Sequence, residues 1–177
     1  METGEGGRGM ALALRPFGAE DAETVAAWVK DERTYYRWCA GMIGRWPVTG
    51  EALRDELAKR PENRALMMTE GGRPAGFLCV YYKDEARTVA RLCYVLLDAE
   101  TRGRGLGRRM MALAARYAFE EMGARRLNLA VFENNPAALR CYEAVGFREP
   151  PGAERRSVQA GAEEWRCVDM WMERPRA

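Results

Sequence analysis

Two stretches of the chain carry residue types and spacings suited to chemistry. The first, residues 98–109, sets Gly103, Gly105 and Gly107 among Arg102, Arg104, Arg108 and Arg109. Glycines let a backbone approach an anion closely, the first N–H groups of a following helix point outward without partners, and the helix dipole adds partial positive charge. That is the make-up of a phosphate-binding turn. It matches neither nucleotide fingerprint, because the glycines run Gly-x-Gly-x-Gly and no Gly-Lys-Ser/Thr follows. The plainer alternative is a turn that only caps a helix, with its arginines in water. The second stretch, residues 134–147, holds Asn135 and Tyr142 seven residues apart, about two turns along one helical face. They can therefore address one ligand. A tyrosine hydroxyl, with an ordinary pKa of about 10, can donate a proton to a thiolate leaving group whose ordinary value is about 8.5. The competing reading is a core tyrosine packed under a sheet.

The chain contains no histidine. This removes Ser-His-Asp and Cys-His nucleophile systems, His-ligated zinc or haem, and any imidazole base. Carboxylate, Tyr, Cys, Lys, backbone or a cofactor must do the chemistry, and no metal site is expected. Cys141 adjoins Tyr142 and invites an acyl-cysteine reading, but no histidine or adjacent lysine is present to lower its pKa. Glu143 reads as a solvated helix residue.

The elements that must position these groups follow from periodicity. Residues 11–15 alternate as a short strand, and Ala22, Val25, Ala26 and Val29 then repeat at helical spacing within 19–30. Residues 34–47 are an irregular run holding Tyr35, Tyr36, Trp38 and Trp46, a candidate pocket wall or a piece of core, before a helix over 51–59. Three β-prone runs, 65–69, 76–82 and 89–97, are joined by tight turns at Gly71-Gly72 and around Asp84, which predicts an antiparallel meander. Leu106, Met110, Leu113, Ala114, Tyr117 and Ala118 then mark one helical face that stops before Gly123. With a strand over 127–131, this makes a strand-helix-strand unit of a length suited to parallel pairing. Asn135 before Pro136 starts another helix, closed by Gly146. A polar loop over 149–164 leads to a last strand over 165–172. The fold class predicted is α+β, with a mixed, mostly antiparallel central sheet.

Composition sets the bounds. A chain of 177 residues, 47% hydrophobic and 31% charged, suits one globular domain with a core of its own. The nine leading residues include four glycines and predict a disordered leader, leaving 10–177 as a single domain. A net charge of +2 gives no ground for a nucleic-acid or membrane surface. Cys39, Cys79, Cys93, Cys141 and Cys167 are odd in number and mostly set in apolar runs, as in a reducing compartment. No run is apolar enough to span a bilayer, and the start shows no secretory signal pattern, so the cytoplasm is expected.

Taken in order, Arg102-x-x-Gly105-x-Gly107 after a strand, then Asn135, then Tyr142 through Phe147, resemble the GNAT superfamily of acetyl-CoA-dependent N-acetyltransferases. The resemblance is specific over residues 92–147. It implies a GNAT-like sheet with helices on both faces and acetyl-CoA as donor. The pyrophosphate of CoA would be held by Arg102, Gly103, Arg104, Gly105, Leu106, Gly107 and Arg108. The pantetheine arm would pair with backbone groups of Val95, Leu96 and Leu97, one of whose N–H groups would polarise the thioester carbonyl, and Asn135 would touch the cofactor or a bridging water. It further implies direct attack by a neutral amine, with Tyr142 protonating the departing sulfur. Some branches of the family carry a glutamate on the strand before the asparagine; here that position is Ala130. Glu133, Asp31, Glu32, Tyr81 and Tyr82 stand as alternative routes for proton loss.

The acceptor region implied is 34–47 together with the loop 149–164, and Tyr35, Trp38 and Trp46 are its candidate contacts, since aromatic faces attract ammonium groups. A small-molecule primary amine is the expected acceptor. A protein or peptide amine (N-terminal or lysine) and a non-catalytic acyl-CoA sensor are the alternatives. An exposed last strand would allow a homodimer paired edge to edge.

Overall fold

A computed structural model describes residues 10–176; the expected leader over 1–9 lies outside them. The elements in chain order are β1 (Leu12–Pro16), α1 (Ala22–Ala27), α2 (Glu32–Cys39), α3 (Gly50–Lys59), β2 (Arg64–Glu70), β3 (Arg73–Tyr82), β4 (Val89–Leu97), α4 (Leu106–Arg116), β5 (Arg126–Phe132), α5 (Pro136–Val145), β6 (Arg156–Ala160) and β7 (Glu163–Glu173). The strands form one sheet in the order β1-β2-β3-β4-β5-β7-β6. Every neighbouring pair is antiparallel except β4 and β5.

Period-2 alternation sends the strands' side chains to two cores. On one face Leu78, Val80, Leu92, Leu127 and Val131 pack against Met110, Met111 and Tyr142 of α4 and α5. On the other, Met67, Phe77, Cys79 and Leu96 meet Val25, Trp38 and Leu53 of α1, α2 and α3. The mixed sheet with helices on both faces is thus as the sequence predicts. No helix among the described residues is long and apolar enough to cross a membrane.

The feature that matters most is the seam between β4 and β5. They pair at only three positions, Val89 with Arg126, Ala90 with Leu127 and Arg91 with Asn128. Beyond these they part, although β4 stays paired with β3 as far as Leu97 opposite Gly76, and β5 with β7 as far as Phe132 opposite Cys167. The parting coincides with a β-bulge, where the β3–β4 register shifts between Phe77 and Cys79 and Tyr94 takes a left-handed backbone (φ 53°). For a tyrosine that conformation costs about 1 kcal/mol or more. Its neighbours hold it. The Trp38 indole Nε1 donates to Tyr94 O at 2.9 Å, and the Tyr94 hydroxyl donates to Glu56 Oε1 at 3.3 Å.

Three sequence expectations need correction. The run over 34–47 is not irregular throughout, because Asp31 caps α2 by accepting from Thr34 N at 2.7 Å, and Tyr35, Trp38 and Cys39 turn inward at helical spacing. The helix ends at Ala40, whose φ is 52°. The segment 149–164 is not all loop, since it contains β6. As a result β7 is not an edge strand; β5 and β6 flank it, and the sheet's edges are β1 and β6.

Candidate active site

A cavity of about 510 Å³ opens at the β4–β5 parting and passes through the plane of the sheet. Its lining joins Arg102, Gly103, Gly105, Gly107 and Arg108 of the glycine-rich turn, Val95, Leu96 and Leu97 of β4, Asn135 and Tyr142 at α5, Thr34, Arg37 and Trp38 of α2, and Ala130 and Phe132 of β5. The sheet's inability to close here creates the site. Leu96 and Leu97 pair with β3 on one side, Val95 lies within the bulge, and none of the three pairs with β5, so their groups toward β5 are free to take a ligand.

The glycine-rich turn has the geometry of an anion cradle. Gly103 (φ 76°) and Gly105 (φ 74°) both adopt left-handed backbone, and no atom stands within 4 Å of where either Cβ would lie. Gly105 is the residue before α4, so the free N–H groups of that helix begin at the turn. Leu106 lines the cavity from the first helical position. Arg104 does not join the others. It turns away to Glu70 on β2, with which it makes two hydrogen bonds of 2.7 and 3.0 Å.

Asn135 caps α5, its Oδ1 accepting from Ala138 N at 3.3 Å, and Pro136 follows at the first helical position. The cap leaves the Asn135 amide N–H₂ as the group it can offer to the cavity. Tyr142, two turns on, is 9% exposed, with its ring 6.0 Å from that of Phe147. Burial pushes its phenol well above the ordinary range. Cys141 also reaches the cavity, and burial raises its thiol despite the opposing charge of Arg108. A thiol so held is a poor nucleophile.

Of the three expected acceptor aromatics, only Trp38 borders the cavity, and its indole N–H is spent on the β4 bulge. Tyr35 is 1% exposed and donates to Ile43 O and Gly44 O, while Trp46 packs on Tyr35 with ring centroids 6.3 Å apart. These two belong to the α1–α3 core. Sequence reasoning missed Arg37, Thr34 and Phe132. The first two stand three residues apart on α2, a spacing that becomes legible once 32–39 is read as a helix.

The candidate proton acceptors are not at the cavity either. Glu133 pairs with Arg155 at 2.8 Å, Asp31 is occupied as a cap, and Tyr82 donates to Met122 O. Tyr81 and Glu32 do not line the cavity, and among the described residues none that does is acidic. On β7, opposite Ala130, stands Asp169. Burial alone would raise its carboxyl, but Arg156 at 2.7 Å and Arg91 at 3.1 Å more than reverse this and hold it at about 2.

Comparison with known proteins gives this arrangement a family. Residues 22–147 match the acetyltransferase (GNAT) family. The chain belongs to the GNAT family. Over 97 residues this GNAT chain is 33% identical to an uncharacterized N-acetyltransferase of Methanocaldococcus jannaschii, a stretch that makes up 52% of this chain and 42% of that protein. It therefore spans less than half of that relative. Over 157 residues it is 27% identical to the L-2,4-diaminobutyric acid acetyltransferase of Streptomyces avermitilis, covering 82% of this chain and 77% of the relative. Among solved structures, the spermidine N-acetyltransferase of Vibrio cholerae, crystallised with CoA and spermine, superposes with a TM-score of 0.74 at 17% identity, over 92% of this chain and 95% of that one. That likeness is one of fold.

Proposed function

We propose that this chain transfers the acetyl group of acetyl-CoA to a primary amine of a small molecule by direct attack, holding both ligands at once. The observation that carries this reading is a single cavity at the β4–β5 parting whose lining joins the anion cradle to residues of α2. Relatives named for spermidine and for diaminobutyric acid both act on small amines, which supports an acceptor of that class. On this reading residues 10–177 work as one domain, in the cytoplasm.

Acetyl-CoA supplies an activated acyl carbonyl and a sulfur leaving group. Arg102, Arg108 and the N–H groups that open α4 take the pyrophosphate charge. The free backbone of Val95, Leu96 and Leu97 pairs with the amide-bearing arm as an added strand would, and Asn135 offers its amide N–H₂ from the other side. A backbone N–H of Val95, Leu96 or Leu97, beside the bulge at Tyr94, polarises the thioester carbonyl. Tyr142 gives its proton to the sulfur. The burial that raises Tyr142 also disfavours a bare thiolate in the same slot, so donor and recipient stay matched. With no carboxylate lining the cavity, the acceptor amine loses its proton to water before attack.

Calorimetric titration with acetyl-CoA, and with NADPH and ATP as anionic controls, tests the donor site. Thiol release with a panel of amines tests transfer. Selective binding of acetyl-CoA with amine-dependent thiol release is expected. A folded sample that binds no acetyl-CoA would overturn the proposal, and one that binds it yet releases no thiol with any amine would be a sensor.

A further inference from the structure

We infer that the acceptor amine carries an anionic group of the carboxylate type, and that Arg37 receives it. This deepens the acetyl-transfer reading and rests on it. The lining at the α2 end, Thr34, Arg37, Trp38, Ala130 and Phe132, contains one formal charge, and that charge is positive. A polyamine acceptor would bring at least one further ammonium to a wall that offers it no carboxylate, and like charges in a cleft of this kind repel.

Arg37 is held ready for an anion. One end of its guanidinium, Nη2, donates to Asn134 O in the β5–α5 turn, which ties this lining side chain to that turn. Its Nε is buried and has no partner, and so is Asn134 Oδ1; these are the buried side-chain polar atoms left unpaired among the described residues. A buried N–H without an acceptor is unfavourable, and Arg37 lines the cavity, so its Nε marks a place where a ligand acceptor atom belongs. A carboxylate presents two acceptor oxygens to a guanidinium edge.

The sheet beyond points the same way. Arg91 and Asn128 are paired, Ala130 follows Asn128 by two residues, and Asp169 is opposite Ala130, so the four share one face of the sheet. Asp169 is there surrounded by Arg156 at 2.7 Å, Arg91 at 3.1 Å and Lys83 at 3.8 Å. Three cations around one carboxylate leave Asp169 no oxygen to spare for a second ammonium. Of the other acids around α2, Asp31 caps the helix, Glu133 pairs with Arg155, Glu163 accepts from the Trp165 indole at 2.6 Å, and Glu32 is exposed and outside the cavity lining.

The test uses acceptors matched as pairs that differ only by a carboxylate: 2,4-diaminobutyrate with 1,3-diaminopropane, ornithine with putrescine, and lysine with cadaverine, with spermidine alongside. Thiol release is expected to give kcat/KM at least tenfold higher for the carboxylate-bearing member of each pair that turns over. Arg37→Met should abolish that preference by raising KM for the carboxylate-bearing member at least tenfold, Arg37→Lys should restore part of it, and acetyl-CoA affinity by calorimetry should change less than threefold in both. Preference for the plain diamines or spermidine overturns the inference and leaves acetyl transfer standing. So does an Arg37→Met variant that loses acetyl-CoA affinity and keeps its acceptor preference. Protein that binds acetyl-CoA but releases no thiol with any of these amines overturns both readings.

Discussion

Asp169 on β7 stands directly opposite Ala130 on β5, so a carboxylate occupies the strand beside a cavity position that carries none. Its proximity does not make it a base. Held at about 2 by Arg156 and Arg91, it has almost no tendency to take a proton from an ammonium group whose ordinary value is about 10.4. It ties Arg91 of β4, Arg156 of β6 and Lys83 to β7 instead.

The pH dependence of the reaction should show this. With no side-chain base at the cavity, kcat/KM is expected to rise about tenfold per pH unit through neutrality, up to the acceptor amine's own pKa. Burial raises Tyr142, so its deprotonation brings no fall below about pH 10. Profiles from pH 6 to 10 check this, and a bell with its optimum near pH 7 would show a protein base at work.

Asp169 should matter to stability. A carboxyl held below its ordinary value stabilises the fold fully above about pH 4, where the unfolded group is ionised, and loses that effect as pH falls toward 2. Asp169→Asn is therefore expected to cost about 2 kcal/mol at pH 7 by denaturant titration, with the gap to the unaltered protein narrowing below pH 3. Equal losses at both pH values would locate the effect in packing.

Tyr142→Phe keeps the ring against Phe147 and removes only the hydroxyl that carries the proton. A fall in kcat of about a hundredfold is expected with acetyl-CoA affinity unchanged, read by steady-state thiol release and calorimetry. An unchanged kcat would remove Tyr142 from the protonation step.

Gly105→Asp imposes a side chain on left-handed backbone and sets a negative charge where the pyrophosphate is proposed to lie. Acetyl-CoA affinity should fall at least tenfold. Gly123→Ala is the control, since Gly123 has a similar φ of 72° and equally open surroundings but lies outside the cavity lining. It should lose about 1 kcal/mol of stability with affinity intact.

What the sequence disclosed and what it withheld divide along physical lines. The turn at Gly103 and Gly105, the cap at Asn135 and the spacing to Tyr142 are local features, set by residues within two helical turns of one another. The bulge at Tyr94 is not local, because it exists only relative to the register of β3. Likewise, nothing near Arg104 announces that Glu70, 34 residues earlier in the chain, will draw it from the cavity while Arg102 and Arg108 remain. The aromatic cluster misleads for a related reason. Tyr35, Trp38 and Trp46 look alike in sequence, yet the inward face of α2 sends Tyr35 into the core, Trp46 packs on it, and Trp38 alone reaches both the bulge and the cavity. Reading 34–47 as irregular also hid Arg37, which only a helix brings onto the same face as Thr34.

The brief contact between β4 and β5 also has a mechanical meaning. Four strands on one side and three on the other are joined by three register pairs, so the sheet behaves as two plates on a short hinge. A ligand arm laid along the free edge of β4 acts as a rivet between the plates. Amides near the parting should then exchange with solvent far more slowly when the donor is bound, while those in the middle of either plate keep their rates.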